Sequence, residues 1–322
     1  MWLIVRANSA IRSTVKNVLL SVALLAMPVL SLAQNVALIY DENSAYQTTF
    51  ANLLGKKLSI NSDLHLTKVT ANALSMPALI KQQPDLIVNL DNSMTRKITA
   101  SNTPITTFHT LTTLSHSRKF APCLPNCTNS LSRHRFFVLD QPPRRQLNLI
   151  RLINPAFKNI GIIVTEQSET HLQALKKVAN DSQLTINEFI TSSTNVRYQI
   201  ADVSKSSDII LAIADTKIYN AASLPQILLT SYRYGTPILG FSKGFIKAGA
   251  IAGTVSSLEQ LTSHLAESIL DFNNPHSLNT NNVIYPKYFD VITNRNVAKS
   301  LNLHFSSDNE LKQQLITYES TQ

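Results

Sequence analysis

The chain has 322 residues, 44% of them apolar and 15% charged, and a formal net charge of +9. It is too apolar to be a disordered chain and long enough for two globular domains of roughly 100–150 residues each. The mild positive excess reads as a solvated basic surface. No basic stripe interleaved with aromatics, H-E-x-x-H, Walker A or clustered metal ligands occur, so neither nucleic acid nor a cofactor is expected.

The first 33 residues stand apart. Arg6, Arg12 and Lys16 precede an apolar run over Val18–Leu30, and Ser31-Leu32-Ala33 places small residues at the first and third positions before a cut. This order makes a secretory signal peptide cleaved after Ala33. The run is short of the about 20 residues a membrane span needs, and no later stretch is longer and as apolar, so a periplasmic location is expected. Loss of the leader's three basic residues leaves a net charge of about +6.

In the first half the pattern predicts strands near Val36–Tyr40, Leu66–Thr70, Leu86–Leu90 and Pro104–Phe108. Helices are predicted near Ala45–Leu58, Ser75–Lys81 and Ser93–Ala100. Pro84 and Pro104 fall at strand starts, where a missing N–H is tolerated. From His116 to Arg135 the chain is polar, basic and proline-bearing, which predicts a surface loop. Within it Cys123 and Cys127 lie four apart; in an exported chain, without nearby His or further Cys, the pair favours a local disulfide, free thiols being the alternative. A short strand, a proline turn and a helix follow in FFVLDQPPRRQLNLIRLI.

The second half predicts strands Ile160–Val164, Leu184–Ile190, Ile209–Ile213 and Pro237–Phe241, with a helix over Ser223–Tyr234 between the last two. A helix over Ser257–Phe272 carries Leu258, Leu261, Leu265, Ile269 and Leu270 on its apolar face, and His264 on it is expected to lie away from any site. A turn at residues 273–277 and a final strand and short helix from Tyr288 complete the reading.

The two halves repeat one design. NVALIYDENSAYQTTFANLL from Asn35 aligns with NIGIIVTEQSETHLQALKKV from Asn159, PDLIVNLDNS from Pro84 with SDIILAIADT from Ser207, and TPITTFHT from Thr103 with TPILGFSK from Thr236. A period this long excludes a solenoid, whose units run about 20 to 50 residues. Strands apolar on both faces and joined through helices are parallel strands of an open α/β sheet, with ligands beyond their carboxyl ends. The expected fold is therefore α/β: two similar lobes with parallel open sheets and a ligand cleft between them. The first lobe is 34–139, rejoined by 254–274; the second is 140–253, rejoined by 275–322, with the first passage near Val138–Pro143.

Residues from SDIILAIADTKIYN through ILLTSYRYGTPILGFSKGFIKAGAIAG to FDVITNRNVAKSLNL carry a resemblance, with Ser242, Lys247, Ala248, Gly249 and Ala250 in its characteristic run. The chain resembles the substrate-binding components of ABC transporters, in the family that includes tryptophan-binding, TrpX-type proteins. It departs from the commoner pattern at TTFHTL and in the Cys123–Arg135 insertion. The resemblance implies a type I periplasmic-binding fold that closes by a hinge on a small-molecule solute, with amino-acid-like molecules among the classes in view. It implies as partner the membrane permease of an ABC transporter, or a sensor kinase if the same fold reports on its solute, and a monomeric protein.

The expected ligand set comes from the duplicated strand ends: Ser44, Tyr46, Asp91 and Ser93 from one lobe, and Ser168, Asp215, Thr216, Tyr219 and Ser242 from the other. Lys243, Ala248 and Gly249 stand beside Ser242 at the same strand end. Serines at strand-to-helix junctions serve equally as helix caps, and Asp215 is as well placed to cap as to hold a ligand amine. Tyr46 and Tyr219 suit stacking on a planar ligand or packing within a lobe. Gly240-Phe241-Ser242-Lys243-Gly244 also fits G-x-S-x-G, with Asp290 and His304 following in hydrolase order. The chain has only seven glycines and no HGGG-type loop for an oxyanion, so no enzyme and no catalytic residue is assigned; a secreted serine hydrolase using Ser242 stays as the alternative.

Overall fold

The computed structural model describes residues 34–60, 64–191, 196–272 and 281–321. The expected leader, its cut after Ala33 and the turn at 273–277 lie outside them. Among the described residues no helix is long and apolar enough to cross a membrane.

The first lobe alternates β1 (Gln34–Tyr40), α1 (Ala45–Leu58), β2 (Leu64–Thr70), α2 (Met76–Lys81), β3 (Leu86–Asn89), α3 (Asn92–Ala100), β4 (Thr106–Thr112), α4 (Leu114–Ser117) and β5 (His134–Val138). The second contains α5 (Pro143–Ile153), β6 (Asn159–Val164), α6 (Glu169–Asp181), β7 (Thr185–Ile190), α7 (Val196–Ser206), β8 (Ile209–Leu211), α8 (Leu224–Arg233), β9 (Ile238–Leu239), α9 (Lys243–Ala248) and β10 (Ala252–Val255). Then come α10 (Leu258–Leu270), β11 (Val283–Ile284), β12 (Asp290–Thr293), α11 (Arg295–Ser300) and α12 (Asp308–Ser320).

The sheets are ordered β2-β1-β3-β4-β5-β11 and β7-β6-β8-β9-β10-β12, the same strand order twice. Every pairing is parallel except β10 with β12. The sequence repeat is thus a repeat of strand order. Where the first lobe has Ala37, the second has Gly161, because a Cβ there would stand 2.5 Å from both Ser207 Oγ and Val203 Cγ1; α7 lies that close to β6.

The chain passes between the lobes three times. Helix α5 buries Leu147, Leu149, Ile150 and Ile153 in the second lobe's core with Ile160, Leu172 and Leu175. Helix α10 returns to the first lobe, where Leu261, Leu265, Ala266 and Ile269 pack on Phe50, Leu54 and Leu58 of α1. Strand β11 pairs with β5 and belongs to the first sheet, so the expected return to the second lobe at 275 is moved to the stretch between Ile284 and Asp290. A two-residue strand carries no periodicity to reveal this.

The expected surface loop over His116–Arg135 is also corrected. Ala121, Leu124 and Cys127 are buried with Leu114, Phe136, Val138 and Val283. The disulfide joins Cys123 to Cys127, and Asn282 pins the loop from the β11 side by accepting from Cys127 N (2.8 Å) and donating to His134 O (2.8 Å). The loop is a cover for β5, apolar inside and basic outside.

Beneath it runs a buried polar chain. Asn89 Nδ2 lies 3.2 Å from His109 Nδ1, and His109 Nε2 lies 3.0 Å from His134 Nδ1. The amide nitrogen only donates, so His109 accepts at Nδ1 and donates from Nε2 to a neutral His134. Burial holds His109 well below the ordinary imidazole range, with His134 adding, and holds His134 at about 4, with Arg135 adding. His264 is also held at about 4, by burial first and by Lys287 and Arg145, against an opposing pull from Glu267.

These histidines stay neutral when folded and take up protons when unfolded, so their stabilising effect is complete above pH ~6.5 and is lost as pH falls toward about 4. The unfolding free energy, and with it the melting temperature, is expected to fall steadily from pH 6.5 to 5, above the range where most carboxylates titrate, by at most roughly 1.4 kcal/mol per pH unit for each histidine. The fall should be shallower in His264→Asn. A flat profile over that interval would contradict neutral burial.

Candidate functional site

The three crossings are gathered by one cation. Arg145, on α5 and 2% exposed, donates to Gln141 Oε1 (2.8 Å) in the first crossing and to Pro286 O (2.9 Å) in the third. It also donates to both carboxylate oxygens of Glu319 on α12 (2.5 and 2.8 Å) and lies 3.8 Å over the Phe289 ring. Gln141 Nε2 then donates to Ser256 Oγ (3.0 Å) in the second crossing, and Ser256 Oγ donates to Tyr288 O (2.7 Å) in the third. Asp140 accepts from Leu114 N (2.7 Å) in the first lobe and faces His171 of α6 in the second. His264 is not remote, as its Nδ1 accepts from Lys287 N (3.1 Å) in the third crossing.

Over this hinge lies a cavity of about 300 Å³. Tyr46 and Leu261 line it from the first lobe, and Phe241, Ser242, Lys243 and Ile292 from the second. Leu139 and Gln141 of the first crossing, Ser256 and Ser257 of the second, and Val255 and Asp290 at the ends of β10 and β12 complete the lining. The walls are mainly apolar with a few polar groups, as small-molecule sites are. Asp290 Oδ1 accepts from Lys312 Nζ (2.7 Å) and Oδ2 from Gln260 Nε2 (3.0 Å), so its charge is matched.

The expected ligand residues divide into three groups. Tyr46 and Ser242 come from opposite lobes and meet in this cavity, Tyr46 with half its surface exposed and Ser242 also capping α9 by accepting from Phe245 N (3.2 Å). Ser44, Asp91, Ser93 and Thr216 lie outside its lining. Ser44 caps α1, accepting from Gln47 N (3.4 Å), while Asp91 caps α3, accepting from Ser93 N (2.8 Å), Met94 N (3.0 Å) and Ser93 Oγ. Thr216 is exposed, and its carbonyl accepts from Asn220 Nδ2 (3.1 Å).

The third group, Ser168, Asp215 and Tyr219, turns inward and lies outside the cavity lining. Asp215 is 3% exposed and accepts from Thr165 Oγ1 (2.6 Å), Ser168 Oγ (2.7 Å), Thr165 N (3.3 Å) and Lys217 N (2.9 Å). It is a brace between the loops after β6 and β8, and Ser168 is spent on it. Tyr219 is 7% exposed and packs edge-on to Phe241 with centroids 5.8 Å apart. Burial, and then Asp215, raise its phenol well above the ordinary range. It supports the cavity wall from behind.

Among the described residues the hydrogen-bond partner of Ser242 Oγ is the Phe245 amide, and no imidazole is bonded to it. His304 is exposed on the loop before α12.

Two like sheets, three crossings bound into a hinge and a cavity walled from both sides define a two-lobed binding protein of the type I periplasmic class. The chain belongs to the ABC transporter substrate-binding protein family, whose model matches residues 140–313. The fold is shared with a substrate-binding protein with adhesive properties from Clostridium difficile, solved open and ligand-free (17% identity, 85% of this chain and 97% of that one, TM-score 0.62). It is shared too with a domain from Streptococcus pneumonia solved with L-Trp (13% identity, 85% and 96%, TM-score 0.52). A conserved domain protein from Vibrio cholerae is also similar (18% identity, 85% and 96%, TM-score 0.51). No curated protein matches the chain.

Because Asp215 is a brace, Asp215→Ala is expected to cost the unliganded fold about 2–4 kcal/mol by stranding buried hydroxyl and amide donors. Chemical denaturation measures this. Unchanged stability with weakened solute binding would return Asp215 to the ligand set.

Proposed function

We propose that the protein is the solute-binding component of an ABC importer. It is exported by its leader, works as a monomer in the periplasm, and delivers a small molecule to a membrane permease. The observation that carries this reading is the cavity beside the crossings, whose lining comes from both lobes and from the first and second crossings. A solute held there touches Tyr46 and Ser242 together when the lobes are shut and only one of them when they are apart. Its higher affinity for the shut state then draws the population toward closure.

Tyr46→Ala and Ser242→Ala are each expected to weaken binding of the solute that co-purifies with the protein by about 1–3 kcal/mol, a factor of roughly 5 to 150. Tyr46→Ala should leave the unliganded melting temperature unchanged, whereas Ser242→Ala should also cost about 1 kcal/mol as a lost helix cap. Lys56→Ala, at the far end of α1, should bind normally. Titration calorimetry measures all three, and normal binding by both cleft variants would place the solute elsewhere.

A further inference from the structure

We infer that the solute is a small apolar carboxylate that carries no ammonium group, with Lys243 as its counter-ion. The inference rests on the solute-binding reading and deepens it. Its basis is a charge inventory of the cavity. Asp290, the one acidic residue in the lining, is already matched by Lys312 and Gln260, one partner on each oxygen. The other strand-end carboxylates lie outside the lining and are engaged as well: Asp41 accepts from Asn43 N, Asp140 from Leu114 N, Asp91 from the start of α3 and Asp215 from the β6 and β8 loops. Glu42 and Glu166 stand on neighbouring loops but outside the lining. A ligand ammonium would have to share Asp290 with Lys312, so its desolvation is less well offset than that of an anion beside Lys243.

The positive side is open. Lys243 lines the cavity, is exposed, and has no acidic partner among the described residues. It also borders a second groove with Lys247, so the local field favours an incoming anion. The apolar part of the lining is Tyr46, Leu139, Phe241, Val255, Leu261 and Ile292. That surface suits a flat or branched hydrocarbon body. A sugar or cyclitol held there would set part of its ring of hydroxyls against this hydrocarbon, without hydrogen-bond partners.

The test is titration calorimetry on the mature chain, stripped of bound solute by unfolding and refolding, with four matched probes. These are indole-3-acetate, tryptamine, L-tryptophan and myo-inositol, extended to the branched-chain set 4-methylpentanoate, isopentylamine and L-leucine. A carboxylate is expected to bind more tightly than its amine and its zwitterion. Lys243→Met should weaken that binding by at least about tenfold, Lys243→Arg should largely restore it, and added salt should weaken the wild type more than Lys243→Met. Tighter binding of an amino acid, amine or polyol than of any carboxylate, or equal binding by Lys243→Met, overturns the inference and leaves the solute-binding reading standing. Failure of every carboxylate to bind also overturns it. If in addition the protein releases no solute on unfolding, the solute-binding reading falls with it.

Discussion

A guanidinium taken out of water must find partners for its charge and its N–H donors, and for Arg145 those partners are the hinge. Desolvating such an ion costs several kcal/mol, and only well-placed acceptors offset it. Here the acceptors are a glutamate on the last helix, a glutamine in the first crossing and carbonyl oxygens in the third. Through Gln141 and Ser256 the same network takes in the second crossing. Satisfying one buried charge thus fixes where three separate strands pass one another. Each lobe keeps its own sheet and core on either side of that point.

The cavity sits on this network, and Gln141 and Ser256 belong to both. A solute in the cleft therefore rests on the side chains that hold the pivot. The lobes contribute unequally despite their common topology. In the first, the strand-end polar residues after β1 and β3 cap helices, leaving the Tyr46 ring as its main offering. In the second, Asp215 knits two loops into a firm edge, and Tyr219 and Phe245 back the Phe241 ring, so that wall is rigid. Rigid aromatic walls bind with little entropy left to lose.

Much of the architecture is legible in the sequence because duplication shows twice what one lobe shows once. Helix α1 runs over the predicted residues since Ser44 caps it and Phe50, Leu54 and Leu58 recur on one face. Helix α12 was not foreseen: Leu311 and Leu315 are its buried residues, which is too few for a clear period. Strands β10 and β11 are short, and their place is set by pairing alone. At the site, sequence locates residues at strand ends but not the direction of a side chain. Asp215 turns inward because Thr165 and Ser168, about 50 positions earlier, offer it hydroxyls. Lys243 stands next to Ser242 in the chain, yet its importance lies in having no acidic partner, and that is a property of the folded molecule.

The central claim is that a solute draws two lobes together about the Arg145 hinge. The most direct measurement is the distance across the cleft mouth, by pulsed electron resonance between spin labels at Lys97→Cys on α3 and Lys217→Cys after β8. Both native cysteines are joined to each other, so the labels attach only there. The account predicts a broad distance distribution without solute that shortens and sharpens when the co-purifying solute is added back. An unchanged distribution at saturation would contradict it.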